Sequence, residues 1–320
     1  MTDLARALSS RFTPAGYGER WARASWWVLP LGLALFRFTV GLRPEHLALA
    51  AVVFVLTWAG ERPRRFLAAH FPFALAGLVY DLSRLVFTRR ASVHVGDLWA
   101  AERALFGVDT PAGRVALVDL VAARPHVALD LLCGATYLLY VAAVFCTTAY
   151  LFARRSPRAA RLAWAFFATN ALGWTIWLLF PAAPPWYVDR YGLGPVVLDA
   201  ASDPAGASRF DALVGLPLFA SYYAKSANIF GAMPSLHVAY ATLPALAVWP
   251  LGARWRVAGA AWALLMAFSA VYFRHHYILD VLAGAAVALA AHRAVGAAYG
   301  LAAAWQAKRS VHPAPSEVWP

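Results

Sequence analysis

The chain has 320 residues, 62% of them hydrophobic and only 14% charged, with a net charge of +12 and a mean hydropathy of +0.57. A soluble globular chain carries about 25% charged residues, so there is too little charge here to cover a water-exposed surface, and the composition points to lipid as the solvent. A basic nucleic-acid binder is set aside because the arginines punctuate hydrophobic runs rather than gather on one soluble face, and two cysteines leave no disulfide framework.

A bilayer-spanning helix needs about 20 mostly apolar residues. In chain order, eight stretches predict spans: Ser25–Leu42, Pro44–Gly60, Phe66–Phe87, His126–Ala153, Leu162–Phe180, Leu236–Leu251, Arg256–Phe273 and Tyr277–Gly300. The second, sixth and seventh are short for the task. Cys133 and Cys146 fall in the fourth stretch, which reads as a single helix, so neither can reach the other. The expected fold is an all-α polytopic membrane bundle of about eight transmembrane helices.

Charge bias sets the sidedness. A cytoplasmic N-terminus places Arg6, Arg11, Arg20 and Arg23 inside, followed by Arg62, Arg64 and Arg65, then Arg154, Arg155, Arg158 and Arg161, then Arg254 and Arg256, and finally Lys308 and Arg309. The other side receives two long connections, 88–125 and 181–235, in which basic residues are mixed with Asp97, Glu102, Asp109, Asp119, Asp189, Asp199, Asp203 and Asp211. That asymmetry follows the positive-inside rule and predicts an integral protein of a bacterial-type inner or plasma membrane with both termini in the cytoplasm. Residues 1–24 read as a retained cytosolic tail rather than a cleaved signal, residues 25–305 as the membrane domain, and the polar, Pro-containing residues 306–320 as an unstructured cytosolic tail. Asp97–Phe106 has helical composition and a mixed polar face suited to lying along the interface.

Ionisable residues inside spans are costly and mark functional sites. On this topology Asp81 and Arg84 lie near the outer end of the third span, Asp130 near that of the fourth, His237 at the outer start of the sixth and Asp280 near that of the eighth. Arg37 is also in the outer half of its span. Nearly all the intramembrane charge therefore sits at one depth. Asp81 with Arg84, spaced i, i+3, can equally be a structural ion pair.

Two segments at that depth hold histidines: Phe230-Gly231-Ala232-Met233-Pro234-Ser235-Leu236-His237 and Arg274-His275-His276-Tyr277-Ile278-Leu279-Asp280. His276 and Asp280 are four apart, so on a helix the carboxylate can reach an imidazole nitrogen and leave the other nitrogen to attack or to move a proton. Pro234 and Ser235 also make ordinary helix-starting residues. Helix initiation explains Ser235, but not a second histidine at the same depth.

Pro234-Ser235-Leu236-His237, followed about forty residues later by His275-His276-Tyr277-x-x-Asp280-Val281, resembles the second and third motifs of the type-2 phosphatidic acid phosphatase (PAP2) superfamily. Leu236 before the histidine and the His-His-Tyr run are most similar to the branch containing the inositol phosphorylceramide synthases, as are Pro184-Pro185-Trp186-Tyr187 and the stretch Asp97–Gly107. The resemblance covers roughly residues 97–284. Two departures stand out. Ala270 occupies the position six before His276 where phosphatase members carry an arginine after a serine (here Ser269), and no Lys-x6-Arg-Pro first motif is found. Arg274 and Lys225, with Arg190 as a third, are the nearest substitute phosphate cations, and anchoring at the membrane surface is their other reading.

The resemblance implies a six-helix catalytic core in which His276 attacks the phosphorus of a membrane lipid, Asp280 orients it, and His237 acts as acid and then base. One residue can serve both half-reactions, and the amides of the helix opening at Ser235 suit phosphate oxygens. The branch favours moving phosphoinositol from phosphatidylinositol to a ceramide-like or other lipid hydroxyl, with diacylglycerol released. Water as acceptor would make the protein a lipid phosphatase. The partners implied are donor and acceptor lipids, with no cofactor, no metal and no obligate protein partner. Asp81, Asp130 and Asn170 are candidate polyol contacts, with helix-to-helix hydrogen bonding as their alternative. Tyr187 is a candidate substrate contact in a Pro-stiffened loop, with membership of an aromatic belt as the alternative. Two other classes compete. A zinc hydrolase would use His237, His275, His276 and Asp280 as ligands, although adjacent histidines on a helix diverge. A proton-coupled transporter would need polar residues through the full membrane depth and internal repeats, and neither is seen.

Overall fold

The computed structural model describes residues 17–87, 92–111, 113–226 and 228–311. The tail arginines Arg6 and Arg11, and the tail beyond residue 311, lie outside the described residues, as do the side chains of Arg20, Lys308 and Arg309. The elements in chain order are α1 (Tyr17–Phe38), α2 (Pro44–Trp58), α3 (Glu61–Leu82), α4 (Arg84–Phe87), α5 (Gly96–Phe106), β1 (Gly107–Thr110), β2 (Gly113–Ala116), α6 (Leu117–Ala122), α7 (Val127–Leu138), α8 (Tyr140–Ala153), α9 (Arg158–Leu179), α10 (Pro185–Tyr191), α11 (Ser208–Val214), α12 (Leu218–Tyr223), α13 (Leu236–Val248), α14 (Ala253–Tyr272) and α15 (Ile278–Val311).

Among the described residues, four helices are long and apolar enough to cross a bilayer: Glu61–Phe87 (α3 running into α4), α9, α14 and the Ile278–Trp305 part of α15. The pair α7 and α8 makes a fifth if counted as one span, and α2 and Leu236–Leu251 are shorter apolar helices. Large apolar side chains such as Trp27, Phe38, Leu179, Val257 and Leu301 are mostly exposed. Water would penalise such a surface, whereas lipid does not.

One of the shorter apolar helices is the most central. α13 packs against α8, α9, α14 and α15, and Val238, Ala239, Ala241, Leu243 and Ala247 on it are all buried. A helix that is apolar on every side belongs inside the bundle, which is why α13 can be short. α1 and α2 pack mainly on each other and then on α3, at the margin of the bundle.

Two expectations about local structure change. The stretch 126–153 is two helices, not one, meeting at Leu139 with a bend of 52°. The Thr136 hydroxyl donates to the Leu132 carbonyl at 2.7 Å, and this i−4 back-bonding bends helices. Cys133 and Cys146 are both free thiols. At the C-terminus, helix continues to Val311, past the point where composition suggested an unstructured tail, because Ala, Gln, Lys and Arg are strong helix formers.

The two long connections are folded and joined. The first holds α5, a β1–β2 hairpin with Val108 opposite Val115, and α6. The second holds α10, α11 and α12. Ala182 lies between His94 and Gly231 in short parallel bridges, through Ala183 N–H to His94 O (2.9 Å), Ala182 N–H to Phe230 O (2.9 Å) and Ala232 N–H to Ala182 O (3.1 Å). This miniature sheet fixes the segment entering α13.

Candidate active site

The first histidine segment is placed by a helix start. Ser235 is the N-cap of α13, its hydroxyl accepting from the Val238 amide at 3.4 Å. The Trp177 indole donates to the Pro234 carbonyl at 3.2 Å. The Ser235 amide donates to the Asp280 carbonyl at 2.9 Å, which ties the opening of α13 to the first turn of α15. His237 then lies in the first turn of α13, partly accessible.

The second segment is placed by a helix end. The amides of His275 and His276 both donate to Ala270 O, at 3.1 and 3.2 Å, closing α14, and Arg274 adopts a left-handed conformation with φ 63°. The chain reverses there and delivers His276 into the bundle just ahead of α15. Ala270, at the position of the missing arginine, thus contributes its main-chain carbonyl to the turn.

His276 Nε2 is 3.2 Å from His237 Nδ1. His276 Nδ1 is 2.9 Å from Ala232 O and 3.6 Å from the nearer oxygen of Asp280. The hydrogen bond of this ring is therefore to the carbonyl delivered by the miniature sheet, with the Asp280 carboxylate at ion-pair distance behind it. A carbonyl can only accept, so Nδ1 carries the proton and Nε2 presents its lone pair toward His237. Asp280 Oδ2 also accepts from the Tyr277 amide at 2.8 Å. His276 and Asp280 are 4% and 0% exposed, so this constellation is shielded from bulk water.

Aromatic rings frame the imidazoles. The bend between α7 and α8 turns Tyr137 and Tyr140 onto the same ring, with centroids 4.4 and 4.7 Å from His237. His275 stacks on Tyr223 at 4.6 Å with the planes 1° apart, and lies 5.4 Å from Tyr137. Burial, reinforced by neighbouring His276, keeps the His275 imidazole neutral down to about 3.

Outside this frame, Arg274 bridges two acids of the outer connections. It donates to Asp189 through Nε at 2.6 Å and through a terminal nitrogen, and pairs also with Asp119. Beside it an open pocket of about 460 Å³ is lined by Trp186, Arg190, Asp203, Arg209 and Arg274 among others. Glu102 of α5 is fully buried and accepts from the Ile278 amide at 3.0 Å and the Leu279 amide at 3.2 Å, capping the helix that carries Asp280. Burial pushes its carboxyl above the usual range.

The other expected contacts sit in protein-to-protein bonds. Asp130 accepts from Arg209 Nε at 2.8 Å and from the Tyr272 hydroxyl at 2.9 Å. Asp81 pairs with Arg43, with His46 at 2.9 Å and with Arg84 at 3.6 Å. Lys225 pairs with Glu45 and Arg190 with Asp203. The Tyr187 hydroxyl accepts from the Val197 amide at 2.8 Å, and Asn170 takes the Tyr240 hydroxyl. The sequence assigns no site role to Glu102, Asp119, Asp189, Tyr137 or the Ala232 carbonyl, although it places the three acids in the outer connections and Ala232 within the first histidine segment. Among the described residues no group of three or more His, Cys, Asp or Glu side chains gathers as metal ligands would.

Comparison with known proteins adds three findings. A family profile described as the PAP2 superfamily matches residues 96–294, from α5 into α15, a region that contains His237, His276 and Asp280. The phosphoinositol dihydroceramide synthase of Bacteroides thetaiotaomicron is 35% identical over 268 residues, 82% of this chain and 87% of that protein. The inositol phosphorylceramide synthase catalytic subunits of Schizosaccharomyces pombe and Saccharomyces cerevisiae are 32% and 33% identical, over 54% and 61% of this chain, which spans less than half of either yeast protein. No solved structure matches the chain.

Proposed function

The chain belongs to the PAP2 superfamily, and from that premise we propose that it transfers phosphoinositol from phosphatidylinositol to the hydroxyl of a ceramide-like or other lipid alcohol, through a phosphohistidine on His276. The observation that carries the reading is the pairing of His276 Nε2 with His237 at 3.2 Å, while the far side of the His276 ring is held by the Ala232 carbonyl and backed by Asp280.

In the first half-reaction the Nε2 lone pair of His276 attacks phosphorus, the bond from phosphorus to the diacylglycerol oxygen breaks, and His237 gives that oxygen its proton. The imidazolium formed on His276 is stabilised by Asp280. In the second, His237 takes the proton of the incoming lipid hydroxyl, whose oxygen attacks phosphorus and breaks the bond to Nε2. Phosphoryl transfer asks mainly for positioning and charge stabilisation. Arg274 is committed to Asp119 and Asp189, so the first-turn amides of α13, capped by Ser235, are the donors assigned to the phosphoryl oxygens. The apolar helices are taken to span a bacterial-type inner membrane, with this centre toward the extracytoplasmic side, in accord with the arginine bias.

The test is to give the purified full chain head-group-labelled phosphatidylinositol, with and without a lipid alcohol. A labelled phosphoinositol lipid that appears only with the acceptor supports transfer. Release of inositol phosphate alone replaces transfer with hydrolysis, and no turnover of any phospholipid refutes both.

A further inference from the structure

The transfer steps ask His237 to carry a positive charge, and the site sets nothing negative against it. His276 has the Asp280 carboxylate behind its ring. The titratable groups facing His237 are His276, whose Nε2 is 3.2 Å from its Nδ1, His275, with ring centres 6.5 Å apart, and the phenols Tyr137 and Tyr140. Among the described residues no carboxylate lies within ion-pair distance of His237. The lone pair of His276 Nε2 is committed to phosphorus.

What does cover the ring is aromatic. The planes of Tyr137 and His237 are 21° apart with centroids at 4.4 Å, which is offset stacking of one face on the other. Tyr140 leans over His237 at 4.7 Å and 43°. Tyr137 is 2% exposed and braced in a T-shaped contact by Phe273, centroids 5.9 Å apart, just before the turn that delivers His276. An aromatic face attracts a cation within about 6 Å, and more strongly where water is excluded. In the transition state of each half-reaction the proton is shared between His237 and a lipid oxygen. Relative to the neutral imidazole, the ring carries positive charge at that moment, against the face of Tyr137.

We propose that Tyr137 is a positioning residue that holds His237 against its face and stabilises the positive charge which this imidazole carries during proton transfer. The inference rests on the phosphohistidine reading and goes beyond it by assigning what steadies the acid. In the first half-reaction the proton moves from His237 to the diacylglycerol oxygen as the bond from phosphorus to that oxygen breaks and the bond from phosphorus to His276 Nε2 forms. A leaving group that departs without a proton bypasses the charge on His237, and with it the need for Tyr137.

The test follows the first turnover of the purified full chain, without a lipid alcohol, on two donors. One is phosphatidylinositol, and the other is its analogue with sulfur in place of the bridging glycerol oxygen, because a thiolate departs with little help from an acid. Tyr137→Leu stays apolar but removes the aromatic face. It should be slowed roughly three- to thirtyfold on the oxygen donor, the range of one desolvated cation–π contact, and stay within about twofold of wild type on the sulfur donor. Tyr137→Phe keeps the face and should stay within about twofold on both. Should Tyr137→Leu fail to fold, phenylalanine with increasing ring fluorination at position 137 keeps the shape and drains the face, so the oxygen-donor rate should fall with each fluorine while the sulfur-donor rate holds. Equal loss on both donors by folded variants, an oxygen-donor rate that no variant changes, or a loss in Tyr137→Phe matching that in Tyr137→Leu would overturn the proposal. His237→Ala is the reference and should lose far more on the oxygen donor than on the sulfur donor. Equal loss there, or no turnover of either donor by wild type, would instead remove the functional reading, and this inference with it.

Discussion

Replacing Gly284 with alanine is expected to damage turnover far more than it damages folding. Gly284 lies one turn beyond Asp280 on α15, and a Cβ at that position would run into the main-chain carbonyl of Ser235, with other Ser235 backbone atoms close behind. Backbone cannot swing aside as a flexible side chain can, so the openings of α13 and α15 must part. Overpacking of this kind costs about 1–3 kcal/mol, and loss of the 2.9 Å bond from the Ser235 amide to Asp280 adds about 1 kcal/mol. The same parting widens the 3.2 Å approach of His237 to His276, and a misplacement of about 1 Å costs on the order of a hundredfold in rate. Detergent-solubilised Gly284→Ala should therefore melt a few degrees early while kcat for head-group transfer falls by about one to two orders of magnitude. Gly296 is the control. It lies on the same helix, where an added methyl group would meet nothing within 4 Å, so Gly296→Ala should keep full activity and gain up to about 1 kcal/mol. A Gly284→Ala protein with kcat within twofold of wild type would refute the claim that this close approach sets the spacing of the histidines.

Three further outcomes follow from the site. His276→Ala and His237→Ala should each abolish turnover while the unfolding midpoint stays near that of wild type, and near-normal activity in either would overturn the assignment of nucleophile and acid. Glu102→Ala removes both acceptors from the Ile278 and Leu279 amides. At about 1.5–3 kcal/mol for each charge-assisted bond, the loss should appear as a drop of several degrees in the unfolding midpoint, and an unchanged midpoint would show that the cap is idle. His275 is held neutral down to about 3 in the fold, against an ordinary value of 6.5, so below pH 6.5 the unfolded chain binds a proton that the folded chain refuses. Stability contributed by this group is complete above 6.5 and is lost as pH falls toward 3. The acid-side fall in unfolding midpoint should be shallower in His275→Asn, and parallel curves would contradict a buried neutral ring.

The parts of the molecule that were legible in the sequence are those fixed by local pattern. Each of the eight apolar stretches became helical structure, because about 20 apolar residues in lipid leave the backbone little choice but to satisfy itself. The short stretch 236–251 proved short because α13 is enclosed by other helices. The 52° break at Leu139 was hidden because Thr136, which back-bonds to Leu132, is a common residue in apolar runs. The β1–β2 hairpin lacked the alternating pattern that announces a strand, since each of its four-residue strands begins with Gly.

The chemistry divides along the same line. His237, His276 and Asp280, which the fold brings together, stood out because ionisable residues in an apolar chain are expensive and therefore informative. What holds them was not visible, because it consists of contacts remote in sequence or made by main chain. Glu102 caps a helix 176 residues away, and the Ala232 carbonyl that fixes His276 comes from a residue with no polar side chain, 44 positions earlier. Asp280 illustrates the difference. Its i+4 spacing predicted contact with His276, yet α15 begins only at Ile278, so helical spacing does not bring the pair together. The Ala270 carbonyl that turns the chain, the Ser235 amide on the Asp280 carbonyl, and the Glu102 cap together seat the carboxylate 3.6 Å from the ring. A carboxylate placed by these three contacts should tolerate surface substitutions on α15 and lose its position beside His276 when any of the contacts moves. That is the physical reason Gly284, whose close approach is to the Ser235 backbone, is expected to matter as much as it does.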